Sequence, residues 1–281
     1  MQRPSGAAIT LRGVSVRAGG HTLLRDVDVE IAPGEHVGIV GASGAGKSML
    51  VGLLLGWHRA SAGEVRVDGT LVTDAAWSAL RRQIAWVDPT VRLWDDSLER
   101  NITYGTPSDD LGALGSVLAR ADLHPLVDRL GGLQTGLGEA GARLAGGEGQ
   151  RVRFARAMMN GKARIVILDE AFRGLDRAAR KRLLEEARAR WPTQALLAIT
   201  HDVQDTLTFD RVLVVSDGQI VEDGNPHALA ARPESSYALL LAREREARQL
   251  WSRADAWRRV VLRDGRLIED ANTRLSRRQI S

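Results

Sequence analysis

The chain has 281 residues, room for one large domain or one domain with an appendage. Hydrophobic residues at 44% and charged residues at 26% exclude a fibrous or disordered chain, and the absence of cysteine excludes disulfides and thiolate metal sites. The formal net charge is only +4, and all basic residues except Lys47, Lys162 and Lys181 are arginines whose charges alternate with acidic ones, which argues for composition bias and against a nucleic-acid partner.

The first residues, Met1 to Gly6, carry no apolar stretch, so no signal peptide is expected and the cytosol is the natural compartment. Residues 8–16 and 23–31 alternate apolar and polar side chains, the period of half-buried strands. Pro33-Gly34 turns the chain, and His36 to Val40 reads as a short strand that leads into a glycine-rich loop and a helix over about 47–57. Met49 to Trp57 is the most apolar run, far short of the ~20 residues that cross a bilayer, so spanning segments are expected elsewhere. A strand follows at 63–67, and the pattern is helical from about 96 to 160, with Leu111, Leu114, Val117 and Leu118 at helical spacing. Strand and helix then alternate: 164–169, 176–190, 195–200, 203–208 and 211–216, with a hairpin about Asp217-Gly218. The expected fold is α/β, with a parallel core sheet, an antiparallel β portion before it and a helical insertion within it. Residues 236–257 read as an amphipathic helix with a solvated charged face, Trp251 and Trp257 as docking contacts, and Val260 to Ile268 as a hairpin.

Gly41-Ala42-Ser43-Gly44-Ala45-Gly46-Lys47-Ser48 fits the pattern G-x-x-x-x-G-K-[ST], a loop that binds phosphate. Its glycines let backbone N–H groups converge on phosphate oxygens, Lys47 reaches the β- and γ-phosphates, and Ser48 offers a hydroxyl to Mg²⁺. A glycine-rich turn with a stray lysine is the bland alternative, weakened by the strand before and the helix after. Ile165 to Leu168 form an apolar strand ending in Asp169 and Glu170, at the sheet edge where ligands bind. Asp169 suits a Mg²⁺ ligand and Glu170 the group that polarises the attacking water.

Between these motifs lies Leu144-Ala145-Gly146-Gly147-Glu148-Gly149-Gln150-Arg151, similar to the signature L-S-G-G-Q-x-Q-R of ATP-binding-cassette ATPases. Gly174-Leu175-Asp176 resembles that family's D-loop, and Thr200-His201-Asp202 its switch histidine. The resemblance covers about residues 8–242 and implies a P-loop NTPase cassette, its helical subdomain at about 90–160, with 243–281 as an extension. It implies two cassettes head to tail, each ATP held between one chain's residues 41–49, Asp169 and Asp176 and the other's signature. Glu170 is then the expected catalytic base and His201 the sensor of the γ-phosphate. The fit is best to exporter cassettes, so an ATPase peripheral on the inner face of the cell membrane is expected, acting through a transmembrane domain on another chain or on a missing part of a longer one.

Several residues depart from the family pattern. Ala18 stands where an aromatic ring usually stacks on adenine, Pro89 where the Q-loop glutamine falls, and Met49 where a threonine follows Ser48. Ala145 lacks the signature hydroxyl, and Glu148 adds negative charge beside it. These departures favour a heterodimer with one impaired site over a homodimer. A regulatory cassette without turnover and a non-transport ATPase are the alternatives.

Overall fold

In the computed structural model the described residues are 5–252, 260–263 and 266–269. Strand β1 (Ile9–Ala18) turns through Gly19-Gly20 into β2 (His21–Ile31), and the two pair antiparallel with Ile9 opposite Ile31 and Val16 opposite Leu24. Their alternate residues Ile9, Leu11, Val27 and Val29 face inward, as the period of two requires. Next come β3 (His36–Val40), α1 (Lys47–Leu54), β4 (Ala62–Val67), the two-residue β5 (Thr70–Leu71), α2 (Asp74–Arg81) and β6 (Ile84–Val87). β4 lies along the free edge of β1, giving a four-stranded antiparallel sheet in the order β2-β1-β4-β5.

The insertion is more broken than its leucine spacing predicts. It holds α3 (Leu98–Thr103), a 3₁₀ segment at Ser108–Ala113, α4 (Leu114–Arg120), α5 (His124–Leu130) and α6 (Glu148–Met158). Glycines end the regular helix between them: Gly131 closes α5 in a left-handed conformation, and Gly132, Gly138 and Gly141 keep the chain turning. Val117 and Leu118 are buried as expected, whereas Leu111 is exposed.

Strand β7 (Ile165–Asp169), α7 (Arg177–Arg190), β8 (Ala195–Ile199), β9 (Arg211–Ser216) and β10 (Gln219–Gly224) complete a second sheet. Its order is β10-β9-β3-β8-β7-β6, parallel except for the hairpin strand β10. β3 sits between β8 and β9, so every parallel strand ends at one edge of the sheet. The 203–208 segment is a 3₁₀ helix, short enough for that tighter winding. The chain closes with α8 (Pro226–Ala230), α9 (Ser236–Ser252) and the hairpin β11 (Val260–Arg263) and β12 (Arg266–Glu269). The expected contacts of Trp251 and Trp257 fall outside the described side chains. Helix α9 packs through Tyr237 and Leu241 and exposes Arg243, Arg245 and Glu246, as expected of a solvated charged face; Glu244 and Arg248 depart from it, half-buried and bonded to residues 202–204.

One core lies between the two sheets around Ile39, Leu53 and Leu197; another packs α6 and α7 on the other face of the parallel strands. In the second, Phe154 meets Phe172 and Trp191 edge to face at 5.1 and 6.0 Å. His36 opens β3 and is buried between these layers. Its Nδ1 accepts from Arg188 Nε at 3.2 Å and its Nε2 lies 3.0 Å from the Trp191 carbonyl, which fixes the neutral ring with its proton on Nε2. Burial, and then the Arg188 charge, push its pKa below 6.5.

An unfolded chain therefore takes up a proton below about pH 6.5 that native His36 refuses, so stability falls as pH drops through that point, by up to about 1.4 kcal/mol per unit for this group. Urea midpoints from about pH 8 to about pH 5 should decline less steeply for His36→Gln than for the parent chain. Equal slopes would show that His36 does not carry the effect.

Candidate active site

At the carboxyl end of β3 the chain must turn sharply and still place N–H groups on one concave side. Gly41 (φ 150°) allows this: a Cβ there would stand 2.1 Å from the Val215 carbonyl oxygen. Gly46 (φ 110°) starts α1 and gives it no side-chain cap, so the helix end keeps its affinity for an anion. Ala42, Ser43, Gly44 and Ala45 form the turn, with the Ala45 N–H donating to the Ala42 carbonyl. Lys47 lies in the turn's mouth and its Nζ donates to the carbonyls of Gly41 and Ala42 at 2.8 Å each. Ser48 and Met49 follow on α1, where the Met49 amide bonds back to Gly46.

Asp169 and Glu170 end β7, two strands away across β8, and their charges act on Lys47. Burial lowers the Lys47 pKa, and Glu170 and Asp169 oppose that shift. The Asp169 carboxyl is pushed up to about 6 by burial first, then by the neighbouring charges of Asp88 and Glu170. So crowded a carboxylate calls for a cation. No group of three His, Asp or Glu side chains among the described residues could hold a metal alone. The Ser48 hydroxyl and the Asp169 carboxylate are oxygen donors of the kind Mg²⁺ takes. Asp88, two residues from Thr90, accepts from that residue's amide and hydroxyl and leaves Pro89 between them.

Glu170 is held in a left-handed backbone conformation (φ 45°), which costs a non-glycine residue about 1 kcal/mol. Its N–H donates to the Ile199 carbonyl of the next strand at 3.0 Å. Its carboxylate meets His201 Nε2 at 2.5 Å and Arg173 Nη1 at 3.2 Å. The structure thus brings Lys47, Ser48, Asp169, Glu170 and His201 to one edge. Arg173 was missed by sequence reasoning; its only signal was a cation three residues after the acidic pair.

Leu144 to Glu148 lie away from that loop in sequence and fold at the start of α6. Gly147 precedes the helix, and a Cβ there would stand 2.3 Å from the Leu175 side chain, so the signature turn packs directly under the D-loop. Gly146 faces open space. The charge of Glu148 is not loose, which corrects the expectation that it burdens the signature: Arg129 binds both its oxygens, at 3.2 and 2.5 Å, and the Ala145 N–H donates to it at 2.7 Å. Asp176 caps α7 by accepting from the Ala179 N–H at 2.9 Å, and that bond holds its carboxyl below the usual range.

The family model described as "ABC transporter" matches residues 24–173. The chain belongs to the ABC transporter family. An ATP-dependent lipid A-core flippase of Xylella fastidiosa (strain 9a5c) is 38% identical over 247 residues, 85% of this chain and 41% of that protein. A flippase of the same description from Xanthomonas euvesicatoria pv. vesicatoria is 37% identical over 80% of this chain and 38% of its own length. Among solved structures, one described as a bacterial Atm1-family ABC exporter with ATP bound aligns with TM-score 0.80 and 28% identity, covering 87% of this chain and 43% of that one. The chain is thus an ABC transporter ATP-binding domain, similar to those of proteins described as flippases and an exporter, and it spans about two fifths of the curated relatives it matches.

Gly41→Ala should destabilise this ABC domain by at least about 2 kcal/mol in urea unfolding, because backbone, not a mobile side chain, meets the new methyl. Gly146→Ala, with nothing within 4 Å of its added carbon, is the control and should change little.

Proposed function

We propose that the chain binds Mg-ATP on its own phosphate loop and hydrolyses it when a second cassette closes over the nucleotide, powering export through a transmembrane partner. The observation that carries this reading is the convergence of Lys47, Asp169, Glu170 and His201 at one sheet edge. Amides of residues 42–48 and the Lys47 ammonium grip the β- and γ-phosphates. Ser48 and Asp169 would hold Mg²⁺, which when bound would supply positive charge against the phosphate oxygens. Glu170 takes a proton from the water that attacks the γ-phosphorus, as the bond to the ADP oxygen breaks. His201 donates to the γ-phosphate, exchanging its bond to Glu170 for one to the substrate. Gly146, Gly147 and the start of α6, with Leu144, Ala145 and Glu148, would complete the partner's site, while Asp176 lies at the junction of the two.

Ala145 brings no hydroxyl to that shared site, so the site completed by this chain is the weaker one. The chain's own loop, with Glu170 and His201 intact, is competent once a partner supplies a full signature. This asymmetry favours a heterodimer. Pro89 and Ala145 also support a second reading, a regulatory cassette that holds ATP without turnover. Under either reading the chain works in the cytoplasm, on the inner face of the membrane; among the described residues no helix is long and apolar enough to cross one.

The surface proposed to receive the partner's membrane domain lies beside α3. Trp94 and Tyr104 are 37% and 62% exposed, their rings 4.2 Å apart. The Arg156 guanidinium lies 4.5 Å from the Trp94 ring, its pKa lowered to about 10 by burial and then by Arg153. Exposed aromatic rings of this kind are common anchors at interfaces.

Calorimetry on the full chain should show Mg-ATP uptake that Lys47→Ala weakens at least about tenfold. Because Ala18 provides no ring, ATP and GTP should bind within a few-fold of each other, base stacking being worth about 1–3 kcal/mol where present. In the complex with its partners, Glu170→Gln should keep nucleotide binding and cut turnover about a hundredfold or more. Unchanged turnover would point to the regulatory reading. A double Trp94→Ala, Tyr104→Ala variant should lose partner-stimulated turnover at constant ATP affinity; full stimulation would move the membrane contact elsewhere.

A further inference from the structure

Helix α9 passes through residue 242 without a break and is fastened to the active-site layer along its length. At its start the amides of Ser236 and Tyr237 donate to the Glu222 carboxylate at 2.7 and 2.9 Å. Tyr237 is fully buried, and its hydroxyl pairs with Thr206 Oγ1 at 2.9 Å. Leu241, one turn on, packs in the same cluster as Val203 and Val40, the residue just before the phosphate loop. Two further turns place Glu244 and Arg248 on this face, since positions 237, 241, 244 and 248 follow the helical repeat.

These last two residues reach the segment that follows the switch histidine. Glu244 accepts from the Gln204 N–H at 2.9 Å. Arg248 donates to the Gln204 side-chain oxygen at 2.6 Å and to Asp202 Oδ1 at 3.3 Å, and it pairs with Glu244 as well. The other Asp202 oxygen meets Arg180 at 3.0 Å, and Arg180 Nε holds Asp205 at 2.7 Å. Arg180 stands one turn into α7, whose cap is Asp176. Asp202, next to His201, is therefore gripped from the D-loop helix on one side and from the C-terminal helix on the other. These side chains are mostly shielded from solvent, where charged hydrogen bonds hold geometry better than on an open surface.

We propose that α9 is a positioning element for the switch: Arg248, braced by Glu244, fixes Asp202 and Gln204 and thereby keeps His201 in register with Glu170. Arg248 touches neither Glu170 nor His201 and acts through the backbone of 201–204. The inference rests on the role given to His201 above. It makes the C-terminal helix part of the catalytic device, and disturbance of its far end a route to slow hydrolysis without loss of nucleotide.

The test compares Arg248→Ala, Arg248→Lys and the exposed control Arg243→Ala in the full chain. Amide exchange at Asp202 and Gln204 should rise about tenfold in Arg248→Ala, with strand β3 unchanged. In the reconstituted complex kcat should fall about tenfold at constant KM, Lys should restore part of it, and Arg243→Ala should match the parent. Parent-like exchange or parent-like kcat in Arg248→Ala overturns the proposal. So does a kcat loss matched by a rise in KM and a lower unfolding midpoint, which marks a merely structural role. Failure of the functional reading looks different: the parent chain would take up no Mg-ATP, while the exchange comparison would still report on the clamp.

Discussion

A lysine ammonium faces two carboxylates across one strand, and the chemistry of the chain depends on that opposition. The loop's carbonyls hold the Lys47 ammonium at its mouth, and Asp169 ends a strand hydrogen-bonded on both sides. The carboxylates are crowded enough that Asp169 resists ionisation. Under the proposed reading, the loop amides and the Lys47 ammonium would receive phosphate oxygens, and the crowded Asp169 carboxylate a divalent cation.

The rest of the fold serves to keep these groups at a common edge. Parallel strands deliver their ends to the same side, and β3, β8 and β7 carry the loop, the switch and the acidic pair respectively. The strained backbone of Glu170 persists because the bond to Ile199 and the packing of Phe172 against Phe154 over-determine its turn. The Gly147–Leu175 contact ties the signature turn to the D-loop, and α7 then connects the D-loop to Asp202. Signature, D-loop and switch are thus joined in one packed layer.

The departures from the family pattern divide into two kinds. Glu148 is absorbed locally, since Arg129 neutralises it within the same subdomain. Ala145, Ala18 and Pro89 lack the hydroxyl, ring and amide side chain that the family pattern places there. Under the proposed reading, the second kind weakens the sites this chain helps to build and favours an asymmetric pair.

Much of this was legible in the sequence. The alternation over residues 8–31 and the apolar runs at 36–40 and 165–168 depend on burial of single strands, and a linear pattern records burial faithfully. The phosphate loop and the acidic pair were legible because backbone geometry there tolerates so few residue types. The breaks in the insertion were not, since glycines at 131–141 act through positive φ angles that leucine spacing conceals. Nor was the inward turn of Glu244 and Arg248: alone, α9 reads as any charged surface helix. Only the tertiary structure could decide that its charges meet Asp202 and Gln204, because an ion pair between residues some forty positions apart leaves no periodic mark on either segment.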